Sequence, residues 1–261
     1  MLLHQICKQT LLYEYHFVTC FDTDLCAYSD PDLTPLGEEQ CRTLSKEFPT
    51  AFKSAPKITH LVSSPIRRTL YTTILSFPEE VKNGIVITAL PELQETSNLP
   101  CDTGSDPEKL TSEFGAKVNL DLVNDGWNNK KGRWSPATSA IAARARDARI
   151  WLRDLAFSAL AETDEDVNIV IVTHGGYLHF FTEDWVGYTT FTGTGWSNTE
   201  FRAYEFESRD HADASIIETK ESRERRKGHE HPLSKDEQRN LKDAATQEAI
   251  SKGYVHADEH L

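Results

Sequence analysis

The segment Val167-Asn168-Ile169-Val170-Ile171-Val172-Thr173-His174-Gly175-Gly176 sets a histidine between an apolar run and two glycines. A Val- and Ile-rich run of strand length is what a strand covered on both faces requires. Open α/β sheets bind their ligands at such strand ends. The glycines permit a sharp turn into a helix whose amide groups are left free to face an anion. The constellation suits phosphate chemistry. The plainer alternative is a hydrogen-bonded histidine that closes a core strand.

Stepping outward from His174, the spacing predicts strands at Ile58–Ser63, Ile85–Thr88 and Phe201–Phe206 in a parallel sheet, with Tyr15–Cys20 as a candidate first strand. Helices are predicted over Pro35–Phe48, where Thr34 is the cap, over Pro65–Phe77, and over Ala137–Ala161. In the last, Ile141, Ala145, Ala148, Trp151, Leu152, Leu155 and Leu160 recur at helical spacing. Strands alternating with helices imply a three-layer α/β sandwich around a mostly parallel sheet. The stretch Leu90–Pro136, with turn residues throughout and a short helical piece near Pro107–Phe114, reads as an excursion over one sheet edge. Long excursions in compact domains are usually functional. After Ser208 the chain turns charged and polar, and Ser234-Lys235-Asp236-Glu237 can cap one more helix. The partition expected is an atypical segment 1–28, a domain 29–207, and a tail 208–261 that adds little to the core.

The 261 residues carry a formal charge of −13. That field repels nucleic acid and anionic membranes, so neither is expected as a partner. No apolar stretch nears the roughly 20 residues that cross a bilayer, and the first residues lack the pattern of a secretory leader, so a cytoplasmic location is expected. Cys7, Cys20, Cys26, Cys41 and Cys101 are odd in number and lack metal-ligand spacing, which fits reduced thiols and no metal site.

Three further segments complete a pattern around His174: Leu33-Thr34-Pro35-Leu36-Gly37, Ser63-Ser64-Pro65-Ile66-Arg67-Arg68-Thr69-Leu70-Tyr71-Thr72, and Leu90-Pro91-Glu92-Leu93-Gln94-Glu95. In this order and spacing the chain resembles the histidine phosphatase superfamily, the phosphoglycerate mutase-like proteins, and its small fungal-type members in particular, from about Asp30 to Phe206. The resemblance implies phosphoryl transfer through a phosphohistidine, without metal or other cofactor, on a small phosphorylated metabolite. It gives Arg68 the phosphate-gripping role, His174 the place of the second, supporting histidine, and Glu95 that of the proton donor, with Glu92 and Asp102 as poorer candidates. Arg67 is expected at the surface, and Thr34 and Gly37 serve capping and packing. Trp127, Trp134 and Trp196 either line a pocket or anchor loops, and Asn198 is a candidate for shaping the site.

One family element is missing. The Arg-His-Gly or Arg-His-Ala that ends the first strand in that family occurs nowhere in this chain. Aligning His16-Phe17-Val18 with the apolar strand end puts Thr19 in the arginine position and Cys20 in the position of the attacking histidine. Three readings follow: residues 1–28 differ from the native beginning; the chain is an inactive member that binds phosphate-containing ligands or acts as an interaction protein; or the Cys20 thiolate has replaced the nucleophile.

Overall fold

The computed structural model describes residues 27–52, 56–163, 165–188 and 195–252. The candidate first strand and Cys20 lie outside them. Four strands, β1 (His60–Ser63), β2 (Ile87–Ala89), β3 (Val118–Asn119) and β4 (Ile169–Val172), form one sheet in the order β3-β2-β1-β4 with every pairing parallel. In β4 all four residues are buried. Ile169 and Ile171 pack into one hydrophobic cluster, and Val170 and Val172 into a second. Successive side chains of a strand face opposite ways, so both faces of the sheet are covered, as its unbroken apolar run demanded.

The first cluster draws on α5 (Thr138–Glu162) and α6 (Gly175–Thr182), and the second on α1 (Pro35–Glu47), α2 (Arg67–Ser76) and α4 (Pro107–Phe114). The short α3 (Pro78–Lys82) links α2 to β2. The layers are therefore helix, sheet, helix: the predicted α/β sandwich. The Thr34 hydroxyl caps α1, accepting from the Gly37 amide at 3.1 Å, with Pro35 in the first turn. Among the described residues no helix is long and apolar enough to cross a membrane.

Two expectations change. Phe201–Phe206 does not join the parallel sheet; only Tyr204–Phe206 is strand (β5), paired antiparallel with β6 (Ile216–Glu218) in a separate two-stranded sheet. Its alternating pattern suits a half-covered antiparallel strand and lacks the continuous apolar run of a strand buried on both faces.

The residues after Ser208 also contribute to the core. Ile216 from β6, and Ala245 and Ala249 from α8 (Lys235–Ser251), belong to the same cluster as α5 and β4. Ser222, at the start of α7 (Lys220–Arg225), is buried and bonds both the Ala203 amide and Glu218. The charged composition hid a contact made by alanines four apart on an otherwise polar helix, a stripe too small to register as an apolar face. The expected helix start is in place, with Ser234 and Glu237 capping each other's amides.

Truncating Ile216 to alanine should therefore lower stability by about 2–4 kcal/mol in denaturant unfolding, the cost of a core deletion. A change below about 0.5 kcal/mol would show that the segment after Ser208 packs on the surface only.

Candidate active site

Strands β1, β2 and β4 end side by side. The Ser64 amide donates to the Val172 carbonyl at 2.9 Å and the Leu90 amide to the Ser63 carbonyl at 2.8 Å, so three connecting loops start from one edge of the sheet. His174, wholly buried, follows β4 and precedes α6. Its Nδ1 lies 3.0 Å from Nη2 of Arg68, and its Nε2 lies 2.9 Å from Oγ of Ser64. A guanidinium can only donate, so Nδ1 is the acceptor and the proton resides on Nε2, directed at Ser64. Thr173 donates from its hydroxyl to the Leu93 carbonyl at 2.7 Å and fastens this strand end to the loop after β2.

Arg68, in the first turn of α2, is 3% exposed. Its Nη2 also donates to Asp102 Oδ1 at 2.9 Å, and its Nη1 donates to the Cys101 carbonyl. Burial opposes the guanidinium charge, but Asp102 and Glu95 outweigh it and raise the pKa. The Nε of Arg68 is buried with no hydrogen-bond partner among the described residues. A buried guanidinium N–H without an acceptor is costly and rare in a finished protein.

Glu95 is buried, and its Oε1 accepts from the amides of Thr96 at 2.8 Å and Tyr177 at 3.0 Å. Burial pushes its carboxyl above the ordinary range, and the nearby Asp102 pushes it further. It is thus biased toward the protonated form a general acid needs. The helix start after His174 does not have all its amides free: the Glu95 carboxyl takes the Tyr177 amide. That also explains the second glycine, since a Cβ on Gly176 would stand 2.8 Å from Glu95 Oε1 and 3.2 Å from the Thr96 hydroxyl.

The loop carrying Glu95 is clamped from α5. Arg144, buried, donates to the carbonyls of Glu92 at 2.8 Å, Gln94 at 2.9 Å and Glu95 at 3.4 Å. Sequence reasoning assigned it nothing, although position 144 falls on the face of α5 that carries Ile141, Ala145 and Ala148. An arginine within an apolar stripe was the available signal. Ser64, quoted as motif but given no role, sets the ring orientation of His174.

Arg67 is not the free surface residue expected. Its side chain is 15% exposed and pairs with Glu113 at 2.7 Å and Asp32, and it donates to the Asp30 carbonyl at 3.0 Å. Asp30 is itself buried, and its carboxylate accepts from the amides of Arg67 at 2.9 Å and Ser105 at 2.7 Å. Adjacent arginines thus divide the work: Arg68 enters the site and Arg67 ties its outer wall. Asp102 is engaged by Arg68, and Glu92 by Arg133 at 2.7 Å. Trp127 anchors the excursion, donating from Nε1 to the Ser105 carbonyl at 3.2 Å while its own carbonyl takes the Gln94 amide group at 2.9 Å. Trp134 lies under the Arg133 guanidinium and Trp196 under that of Arg202. Asn198 bonds Gln40 on α1 at 3.2 Å and touches none of Arg68, His174 and Glu95.

The sequence profile of the histidine phosphatase superfamily (branch 1) matches residues 22–229. The chain belongs to that superfamily. No curated protein matches it significantly. Similar solved structures include the alpha-ribazole phosphatase of Shigella flexneri, 17% identical over 81% of this chain and 95% of that one, with a TM-score of 0.45. A mycobacterial glucosyl-3-phosphoglycerate phosphatase is 15% identical over 81% and 96%, with a TM-score of 0.46. The phosphoserine phosphatase of Entamoeba histolytica is 18% identical over 81% and 94%, with a TM-score of 0.45. The family assignment rests on the profile and not on these distant likenesses.

A carboxyl whose folded pKa is raised stabilises fully below its ordinary value of 4.5 and loses that contribution as pH rises. Glu95→Gln keeps the Oε1 acceptor and removes the titration. Its melting temperature relative to wild type should climb from pH 4 to pH 8, and a pH-independent difference would refute the buried-acid assignment. Gly176→Ala should cost about 1–3 kcal/mol by crowding that carboxyl, read by denaturant unfolding.

Proposed function

We propose that the chain is a phosphomonoesterase-type protein whose site takes a small phosphorylated metabolite against Arg68 and His174. The observation that carries this reading is the orphaned Nε of the buried Arg68. A phosphoryl oxygen supplies an acceptor that the described residues do not, and a dianion also meets the charge of a guanidinium whose one carboxylate at contact distance among those residues is Asp102. His174, held by Ser64 and Arg68, presents its ring to the same place. Glu95, biased toward the protonated state, delivers a proton to the leaving oxygen.

The remaining part is the nucleophile. In the family it is a histidine, forming a phosphohistidine that water then opens; here the aligned position holds Cys20. The absence of Arg-His-Gly or Arg-His-Ala favours a second reading, a phosphate-ligand binder without turnover. The metabolite and the absence of nucleic-acid and membrane partners belong to this proposal as well, supported by the charge of −13.

Vanadate and orthophosphate binding, followed by calorimetry, should be lost by at least tenfold in Arg68→Met and His174→Ala. Hydrolysis of p-nitrophenyl phosphate that disappears in the same variants establishes the esterase, and hydrolysis that also disappears in Cys20→Ser makes the thiol the nucleophile. Anion binding without hydrolysis establishes the binder. A folded wild-type chain that binds neither anion overturns both.

A further inference from the structure

The excursion between β2 and α5 brings a lysine against the backbone of the acid. Lys130 Nζ lies 3.3 Å from the carbonyl oxygen of Glu95, and the lysine forms no ion pair among the described residues. The residue is partly exposed. Its φ of 56° is in the left-handed region, which a lysine adopts at a cost. The Asn129 side chain holds the turn by accepting from the Lys131 amide at 2.8 Å.

The Glu95 carbonyl does not depend on this lysine, because Arg144 Nη2 donates to it at 3.4 Å. Lys130 can therefore turn away without stranding an acceptor. The charges acting on the ammonium are Arg144 and Arg68 on one side and Asp102 and Glu95 on the other. When Glu95 carries its proton, two guanidiniums and the ammonium stand against one carboxylate. Burial, and then Arg144, draw the Lys130 pKa down to about 7, and an anion against Nζ would hold the ammonium charged.

In the proposed reaction the acid must reach the leaving oxygen, and it is the acid's own backbone that Lys130 bonds. We propose that Lys130 is a specificity residue whose ammonium binds a second anionic group, carried by the leaving group of the phosphomonoester. This rests on the phosphomonoester reading of the Arg68–His174 site. The preferred ligands are then phosphorylated acids over phosphorylated alcohols, and Lys130 selects among substrates without taking part in bond cleavage.

Calorimetric affinities of the full chain for 2-phosphoglycolate against ethyl phosphate, and for 3-phosphoglycerate against glycerol 3-phosphate, test it at two lengths of leaving group. A charge-assisted bond predicts a preference of about tenfold for the acid in at least one pair. In Lys130→Met that preference should fall to within about twofold, while orthophosphate affinity drops less than about threefold and the melting temperature holds; Lys130→Arg should keep part of the preference. Equal affinities within both pairs in wild type, or a preference that survives in Lys130→Met, overturn the assignment. So does an orthophosphate loss as large as the loss for the acids, since Lys130 would then belong to the phosphoryl site. A wild-type chain that binds no orthophosphate overturns the phosphomonoester reading itself, and this inference with it.

Discussion

The Arg68 guanidinium is the group on which the rest of the site depends. It enters from the start of α2, bonds the Cys101 carbonyl and Asp102 from the excursion, and bonds His174 from the end of β4. Three chain segments far apart in sequence are thereby fixed by one buried cation. A buried charge is tolerated only where partners compensate its lost hydration. Here the compensation is also the geometry: each partner must stay in place for the charge to stay, and each is thereby held beside the others. The Nε is left buried without a partner among the described residues.

The acid is placed by a related economy of groups. Glu95 serves as an N-terminal cap of α6, receiving the Tyr177 amide; burial and Asp102 raise its pKa, while the Thr96 amide and Arg68 lower it. Burial wins because the carboxyl has little contact with water. The close approach required is possible only because position 176 has no side chain. Thus the His-Gly-Gly turn joins the two functions: its histidine faces Arg68, and its second glycine admits the acid.

How far this was legible in the sequence varies with the physics of each part. The sheet was readable because Ile169–Val172 has no polar face, so a strand buried on both sides is the main way to hide it. His174 stood out from the apolar run before it and the glycines after it, whereas Arg68 and Glu95 could be picked out through the family pattern alone, since an arginine in a helix's first turn and a glutamate in a polar loop are ordinary surface residues. Arg67 was misplaced for that reason: nothing local distinguishes it from Arg68, and its partners Glu113, Asp30 and Asp32 are distant in sequence. The stripe of Ala245 and Ala249 was illegible because alanine gives little hydropathy contrast, and β6 because antiparallel pairing depends on a partner strand and not on its own short sequence.

Arg144 and Arg149 show why α5 carries charge in its buried face. Arg144 binds three carbonyls of the acid loop, and Arg149 binds the carbonyls of Phe180 and Phe181 at the end of α6. Both hold carbonyl groups that no regular element satisfies, one set from a turn and one from a helix terminus. A guanidinium has five donors in a fixed fork, so one side chain can gather several such acceptors where no backbone amide can reach. The two arginines are five residues apart on a single rigid helix, so they fix the loop after β2 and the helix after β4 relative to each other. Glu95 and His174 reside on those two elements. The alignment of acid and histidine, made directly by the Thr173–Leu93 and Tyr177–Glu95 bonds, therefore also rests on α5, a helix that contributes no group to the chemistry.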